Sequence, residues 1–404
     1  MRIAHVLSHV SEVHAGVPIA TAKLCRALVC LGLEVSVWAT GSPEEGAALE
    51  RHGINPHLFP RVWPRGWRRS PEFASEFERR IGDYDVIHIH EVWNYPQLAA
   101  AAIASRHHIP FIWAPRASLE PWRMKYKGWK KSLYFKLLGK RIMASSTCMH
   151  AVSAGETEGF RRLGFQGPTV VVNNGIDPGE FDNLPDPAEA DLQWPTLKGK
   201  RVVLFMSRIS PEKGIDCLIR AWEGITGGND HPDAFLVLAG PDDRGYRDYV
   251  EKELGRRNLT NQVIMPGMVS GRDKLALISR SQIFVLPSFS EGFSNSILES
   301  LACAKPVLIT PGCNFPEVVS IGAGVSVKPD SDLLEDALEQ LLIKSKEELE
   351  DMGQRGRSLI LENYTWEISA RKLVSVYNAI IKGKPVPENP EPISIGLDGR
   401  ALFQ

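Results

Sequence analysis

The chain has 404 residues, 43% of them hydrophobic, and a formal net charge of −1. That length suits two domains with separate cores, and the near-neutral balance gives no global reason to invoke nucleic acid. The six cysteines (Cys25, Cys30, Cys148, Cys217, Cys303 and Cys313) are scattered, without a CxxC pair or a His/Cys cluster at metal spacing, so the expectation is small buried thiols in a reducing compartment, no metal and no cofactor.

The chain opens directly on a strand-like run, MRIAHVLSHV, without the order of segments of a signal peptide. Its longest small-apolar stretch, Leu98–Ser105, is too short to span a bilayer. A cytoplasmic protein is expected. Continuous apolar strands then alternate with helical stretches, which predicts a parallel, doubly wound α/β fold of the Rossmann kind. Ile3–Leu7 is the first strand, and a helix is expected from Pro18 to Leu31. The loop between them carries His14, Ala15 and Gly16, and Gly16 permits close backbone approach at the carboxyl edge of that strand. The dinucleotide fingerprint GxGxxG is missing here, which argues against an oxidoreductase.

Glu34–Ala39 and Asp85–His90 are the next strands, with His88 and His90 on one face and His90 near the carboxyl end, where open α/β sheets bind ligands. Pro110–Pro115 runs into Arg116-Ala117-Ser118-Leu119-Glu120-Pro121-Trp122. Arg116 stays protonated, so it is unsuited to be a base but can hold an anion bidentately. From Trp122 to Gly155 there are eight Lys/Arg, among them Arg123, Lys125, Lys127, Lys130 and Lys131, and no Asp/Glu, with Trp129 and other aromatics interleaved. A second basic-aromatic cluster spans Arg61–Arg69. This chemistry favours an anionic membrane surface or a lipid-diphosphate; a plain solvated face and nucleic acid are the alternatives.

Thr169–Val172 is the last strand of the first domain, and Asn183–Lys200, rich in Pro and charge, reads as a linker. The second domain opens with the strand Arg201–Met206, followed by Ser207-Arg208-Ile209-Ser210-Pro211-Glu212-Lys213-Gly214. Ala234–Gly240 and Val263–Met265 are strands, the latter leading to Pro266-Gly267. Ile283–Pro287 and Pro306–Thr310 are buried strands around a turn with Glu291 and Gly292 and a helix from Ser294. A helix that opens on Ser294-Asn295 offers free amides and a partial positive charge to a phosphate. Glu291 and Glu299 flank that seat and suit neutral hydroxyls, so the stretch fits a ligand with phosphates in the middle and polyhydroxylated rings at each end, which is a nucleotide sugar. Amphipathic helices at Leu333–Lys344 and Lys346–Asn363 precede a last helix from Tyr364 to Ile381. The composition from Lys382 onward predicts a disordered tail, and the terminal Ala401-Leu402-Phe403-Gln404 has the form of a protease-site remnant left by an expression vector.

E-G-F-x-x-x-x-x-E at Glu291–Glu299, the Arg208 to Gly214 segment, Asn174-Gly175-Ile176-Asp177 and the turn before Pro316-Glu317-Val318 together resemble the retaining glycosyltransferases of family 4, and the Arg116–Trp122 context is similar to a subset from bacterial exopolysaccharide and lipopolysaccharide assembly. The resemblance implies a GT-B architecture. An acceptor domain at 1–182, joined by a crossover helix at 364–381, and a nucleotide-sugar domain at 201–363 would face a central cleft, with the linker at 183–200 and the tail at 382–404.

It further implies a catalytic set of Glu291, Arg208, Lys213 and Arg116, the last where many members carry a histidine. Donor contacts would come from Gly16, Gly292, Phe293, Ser294, Asn295, Glu299, Pro266 and Gly267, with Glu291 on the transferred sugar, Glu299 on the ribose and Pro266-Gly267 on the base. Acceptor contacts would involve His14, His90, Arg116, Glu120 and Trp122. Arg123, Lys125, Lys127, Trp129, Lys130 and Lys131 would meet lipid. The implied reaction is metal-independent, retaining transfer of a hexosyl unit from a UDP-sugar, favoured over a GDP-sugar, to a saccharide acceptor, possibly linked to a lipid diphosphate. A nucleotide-sugar epimerase, a phosphorolytic enzyme and a non-catalytic membrane scaffold remain the alternatives. Oligomeric state is not legible.

Overall fold

The computed structural model describes residues 1–10, 16–125, 128–227 and 231–394; His14, Lys127, the side chain of Lys125 and the tail at 395–404 lie outside the described residues. The chain divides into two units, one of Met1–Gly175 together with the chain from Trp366 onward, the other of Ile176–Thr365.

The first unit is built on seven strands, β1 (Arg2–Val6), β2 (Glu34–Thr40), β3 (Asn55–Phe59), β4 (Val86–His90), β5 (Phe111–Ala114), β6 (Cys148–Ala151) and β7 (Thr169–Val171). They form one parallel sheet in the order β3-β2-β1-β4-β5-β6-β7. β1, β2, β4, β5 and β6 are buried along nearly their whole length, as their unbroken apolar pattern demands when helices cover both faces. One face packs on helix Gly16–Cys30 and on the C-terminal helix Trp366–Ile381, which sends Leu373, Val374, Tyr377 and Ile380 into the core. The other face is aromatic: Trp38 sits among Phe59, Phe73, Phe77 and Tyr84, and its indole Nε1 donates to the Tyr84 hydroxyl at 2.8 Å. Three elements between residues 43 and 80 had no counterpart in the sequence reading. They are helix Pro43–Glu50, β3, and helix Pro71–Arg80, which is capped by Ser70. Residues 382–394 depart from the expected disorder: Val386 and Ile393 pack against the core, and the Ile393 carbonyl accepts from Arg371 Nε at 2.7 Å.

The second unit has six strands, β8 (Arg201–Met206), β9 (Ala234–Ala239), β10 (Val263–Gly267), β11 (Ile283–Leu286), β12 (Val307–Ile309) and β13 (Gly324–Ser326). Its parallel order is β10-β9-β8-β11-β12-β13. The segment expected as a linker, Asn183–Lys200, belongs to this unit. Pro187–Gln193 is a helix started by an Asp186/Glu189 capping box, and Asp191 and Glu189 pair with Arg280 and Arg272 of helix Gly271–Arg280. Its charges serve docking, which composition alone does not separate from solvation.

In each sheet the winding reverses once, between β1 and β4 in the first unit and between β8 and β11 in the second. The crevice beyond the carboxyl ends at such a reversal is where open α/β sheets take ligands. Among the candidate residues, Arg208, Lys213 and Glu291 lie in loops at the second of these points and His90 at the first.

Candidate active site

In the second unit, the loop after β8 and the loop after β11 flank the reversal. The first ends in Lys213 and Gly214, and Gly214 lies at φ +69°, where a Cβ would come within 2.0 Å of the Pro287 carbonyl oxygen. Only glycine fits so close an approach in the left-handed region. That contact brings the two loops together and sets Lys213 opposite Glu291. Lys213 Nζ donates to Glu291 Oε1 at 2.5 Å, and both residues are closed to solvent, at 4% and 7% exposure. Ser288 Oγ donates to the same carboxylate oxygen at 2.7 Å. The Glu291 backbone is fixed as well, its amide donating to the Gly312 carbonyl at 2.8 Å and its carbonyl accepting from Asn314 Nδ2 at 2.7 Å. Gly312 is obligatory for packing, since a Cβ there would lie 2.6 Å from the carbonyl oxygens of Ser288 and Phe289.

Arg208 carries two acids: Nη1 donates to Asp243 at 3.0 Å and Nη2 to Glu212 at 2.8 Å. Burial pushes the Glu212 carboxyl up, but the Arg208 guanidinium and the surrounding hydrogen bonds outweigh it and hold the group below the usual carboxylate range. Glu299 is bonded by Lys274 Nζ at 2.8 Å. Thus Arg208 and Lys213 are both present at the reversal, and each is matched by carboxylates. Asp243, Glu212 and Lys274 were not among the residues singled out from the sequence; Asp243 and Lys274 meet partners far along the chain.

The helix after β11 runs Asn295–Ala302 with Ser294 as its N-cap, one residue later than expected, and its first amides border the reversal. The Ser294 hydroxyl meets that of Ser296 at 3.0 Å. Phe293 is buried against Phe315 and Tyr364, with ring centroids 5.0 and 5.6 Å away, so what it can offer a ligand is its backbone. Pro266 and Gly267 close β10, and the Gly267 carbonyl accepts from the Gly240 amide at 2.8 Å.

The first unit gathers a different chemistry at its own reversal. His5 on β1 is paired in register with His88 on β4, and both are fully buried with His90 and close to His150. Burial is the main reason all four are held neutral; it lowers His5 and His150 to about 3, with the Arg116 charge adding to it. Neutral rings fix the proton order. The Val172 carbonyl can only accept, so His150 Nε2 carries its proton toward it at 2.8 Å. His150 Nδ1 then accepts from His88 Nε2 at 3.1 Å, and His88 Nδ1 from the Tyr377 hydroxyl at 2.7 Å. In the neighbouring chain Arg116 Nε donates to His90 Nδ1 at 3.4 Å and His90 Nε2 to His5 Nδ1 at 2.9 Å. This leaves His5 Nε2 a buried donor with no hydrogen-bond partner.

The ring nitrogens of His5, His88 and His90 lie within 4.8 Å of one another, close enough to hold a metal ion. However, the Nδ1 lone pair of each is already taken in this order and a guanidinium stands beside them, so an ion would displace hydrogen bonds next to a fixed positive charge. The arrangement suits a rigid support for Arg116 better.

Arg116 and Ala117 both adopt left-handed backbone, φ 54° and 60°, a conformation that costs energy and concentrates at functional sites. Glu156 holds this turn, its two oxygens accepting from the Ala117 and Val152 amides at 2.7 and 2.8 Å, and burial raises its carboxyl. Arg116 Nη1 donates to Asn174 Oδ1 at 2.9 Å, while Nη2 is buried without a hydrogen-bond partner. Desolvation brings the Arg116 group down to about 10, still charged at neutral pH. Glu120, half-buried nearby, is pushed up to about 7 by burial and then by Glu156.

A Cβ at Gly16, which opens helix Gly16–Cys30, would meet nothing within 4 Å, so its need for glycine is not set by the described residues. Lys131 is turned inward, Nζ bonding the Arg123 carbonyl at 2.5 Å and lying over the Trp93 ring; Trp129 and Lys130 face outward, Trp129 at 71% exposure.

Two family models cover these units. Residues 15–180 match Glycosyltransferase Family 4 and residues 189–359 match Glycosyl transferases group 1. A phosphatidyl-myo-inositol mannosyltransferase of Mycobacterium leprae is 23% identical over 391 residues, 94% of this chain and 97% of the relative. An uncharacterised glycosyltransferase of Methanocaldococcus jannaschii is 28% identical over 218 residues, and spore coat protein SA of Bacillus subtilis 29% over 189. The chain spans about half the length of these two relatives, 53% and 49%, and 51% and 45% of this chain is covered. Among solved structures, Anabaena Alr3699/HepE in complex with UDP and glucose superposes with TM-score 0.75 at 18% identity, covering 93% of this chain and 98% of that one. Sucrose-phosphate synthase from Thermosynechococcus elongatus gives 0.76 at 19%, covering 95% and 100%. These likenesses establish the fold. With both domain models matched in order over two Rossmann-like units, the chain belongs to the family 4 glycosyltransferases of GT-B fold.

Proposed function

We propose that the chain moves a hexosyl unit from a nucleoside-diphosphate sugar, with UDP favoured over GDP, to a hydroxyl of a saccharide acceptor with retention of configuration. The observation that carries this reading is the buried Lys213–Glu291 pair at the strand reversal of the second unit, because a scaffold has no use for a desolvated charge pair beyond the carboxyl ends of a sheet. UDP and glucose complexes of the structural neighbour Alr3699/HepE support the donor class. A diphosphate entering here would draw Arg208 and Lys213 from their carboxylates and take the amides at the start of helix Asn295–Ala302. Glu291 would then turn to the hydroxyls of the sugar and Glu299 to the ribose. In the reaction the bond from the anomeric carbon to the leaving phosphate oxygen breaks as the bond to the acceptor oxygen forms on the same face. The acceptor proton goes to the departing phosphate. Charge on that phosphate is met by the two cations and the amides, the task a metal performs in other transferases.

Arg116, supported by His90 and Asn174 and left with a buried hydrogen to donate, would hold the acceptor. Trp129, Leu133 and Leu137 stand out at 71%, 50% and 56% exposure along one side of the basic segment, with Lys130, Lys136, Lys140 and Arg141 beside them. That combination suits an anionic bilayer surface. Among the described residues no helix is long and apolar enough to cross a membrane.

The test is a thermal-shift and calorimetric screen of UDP, GDP and their sugars, followed by product NMR. UDP binding, slow donor hydrolysis without acceptor and an α-linked product from an α-linked donor support the reading. Epimerised donor released without acceptor overturns it in favour of an epimerase. Sedimentation with anionic and neutral liposomes tests the membrane face, and equal binding to both rejects it.

A further inference from the structure

The second unit has another cavity, at the opposite end of its strands. It measures about 620 Å³, within the range of small-molecule sites. Arg201 at the start of β8, Gln282 just ahead of β11 and Pro306 just ahead of β12 line it. These are amino-terminal strand ends, whereas the site described above lies beyond the carboxyl ends, so the cavity is no part of that site.

Its lining is strongly cationic. Lys200, Arg201, Arg280, Lys305 and Lys346 face it against one carboxylate, Glu350. Arg280 is spent, its Nε bonded to Asp191 at 2.6 Å and its Nη2 to the Lys200 carbonyl at 3.0 Å. Lys346 lies 3.6 Å from Glu350. Among the described residues Lys200, Arg201 and Lys305 make no ion pair. Lys305 is the informative member. Its Nζ donates to the Ser279 carbonyl at 2.7 Å, leaving two of its three hydrogens for a ligand. Burial pulls the amine down to about 8, and the pull of Glu350 in the same wall offsets that cost only in part. The side chain of Ser279, itself more than nine-tenths buried in the same wall, has a hydroxyl with no hydrogen-bond partner. Incompletely compensated cations and an unpartnered buried hydroxyl in one cavity call for an anion rich in acceptor oxygens.

We propose that this cavity is a second, donor-independent site for a phosphate-bearing small molecule. The phosphate would lie against Lys305, Lys200 and Arg201, and the body of the ligand against Pro306 and Leu349, which supply the apolar wall. A phosphoryl group suits the three cations better than a carboxylate, since it brings more charge and more acceptor oxygens to the same volume.

Calorimetry with pyrophosphate and with glucose 6-phosphate, on the full chain with and without saturating UDP, tests this. The expected result is one saturable site that survives UDP and weakens at least tenfold in Lys305→Met and in the surface variant Lys346→Glu, both keeping the UDP affinity of the parent. Loss of all binding once UDP is present would place the anion in the donor site and overturn the proposal. Unchanged affinity in both variants would overturn it equally. If UDP fails to bind but pyrophosphate still binds through Lys305, the second site stands while the glycosyl-transfer reading falls.

Discussion

Lys213 and Glu291, 78 residues apart in sequence, meet in a 2.5 Å contact that is almost closed to solvent. Removing one partner of a buried pair leaves the other charge uncompensated, which costs about 3–5 kcal/mol. Lys213→Met and Glu291→Gln are therefore both expected to unfold at lower urea, the glutamine variant by less because its amide oxygen can still accept from Lys213 and Ser288. Turnover in Glu291→Gln should fall about 100-fold or more. Parental turnover in a folded Glu291→Gln variant would remove Glu291 from the reaction.

Gly214 is the hinge of that contact. A methyl group 2.0 Å from the Pro287 oxygen, in left-handed backbone, has to be relieved by moving one of the two loops. Gly214→Ala is expected to lose more than about 1 kcal/mol of stability and to weaken nucleoside-diphosphate binding at the same time. Calorimetry and chemical denaturation on the same sample check that the two losses travel together.

In the proposed reaction Arg208 would meet the donor only after leaving Asp243 and Glu212. A partly exposed pair of this kind is worth about 1 kcal/mol at most, so Asp243→Asn should tighten UDP binding by up to about fivefold. Weaker binding in this variant would show that Asp243 positions Arg208 instead of competing for it.

Arg116→Lys keeps the charge but loses the planar fork that reaches both Asn174 and His90. The acceptor KM is expected to rise about tenfold or more, with UDP affinity within twofold of the parent. Equal effects on both substrates would assign Arg116 to general folding of the first unit.

Two groups of residues tilt the pH dependence of the first unit in opposite directions. His5 and His150 are depressed to about 3 by burial and Arg116. The unfolded chain therefore binds more protons below pH 6.5, and their contribution is full above that pH and lost as it falls toward 3. Glu120 is raised from 4.5 to about 7, so the folded chain holds a proton that the unfolded chain releases. Its contribution is full below pH 4.5 and lost as pH rises through 7. Urea titrations from pH 4 to 8 should show Glu120→Gln reducing the loss between 4.5 and 7, with the raised carboxyls of Glu91 and Glu156 still contributing, while leaving the acid limb. An unchanged profile would refute the Glu120 assignment.

Legibility followed locality. The Glu291–Glu299 stretch was readable because strand, turn and helix lie consecutively, and the alternation of apolar strands with helices announced two parallel sheets. What escaped depends on register or distance. His88 and His90 were visible as a stripe on one strand, but their partners His5 and His150 join them only once β1 and β6 are placed in the sheet, and Tyr377 comes from the far end of the chain. The strand at Asn55–Phe59 was hidden by Pro56, and the helix at Pro187–Gln193 by the charge and proline that also mark linkers. The ion pairs of Arg208 with Asp243 and of Glu299 with Lys274 join segments whose spacing carries no period.

The placement of Tyr377, sealed on a helix that begins at Trp366 yet bonded to His88, has a consequence for biosynthesis. The ribosome emits the opening seven-stranded half first, but that half lacks one wall of its interior until the last stretch of polypeptide emerges. The middle half, contiguous from Ile176 to Thr365, has every piece it needs earlier. Order of appearance and order of completion are thus reversed: the amino-terminal layers wait, greasy side uncovered, while the later-made portion matures, and a nascent chain stalled shortly before residue 366 is the species most in need of a chaperone.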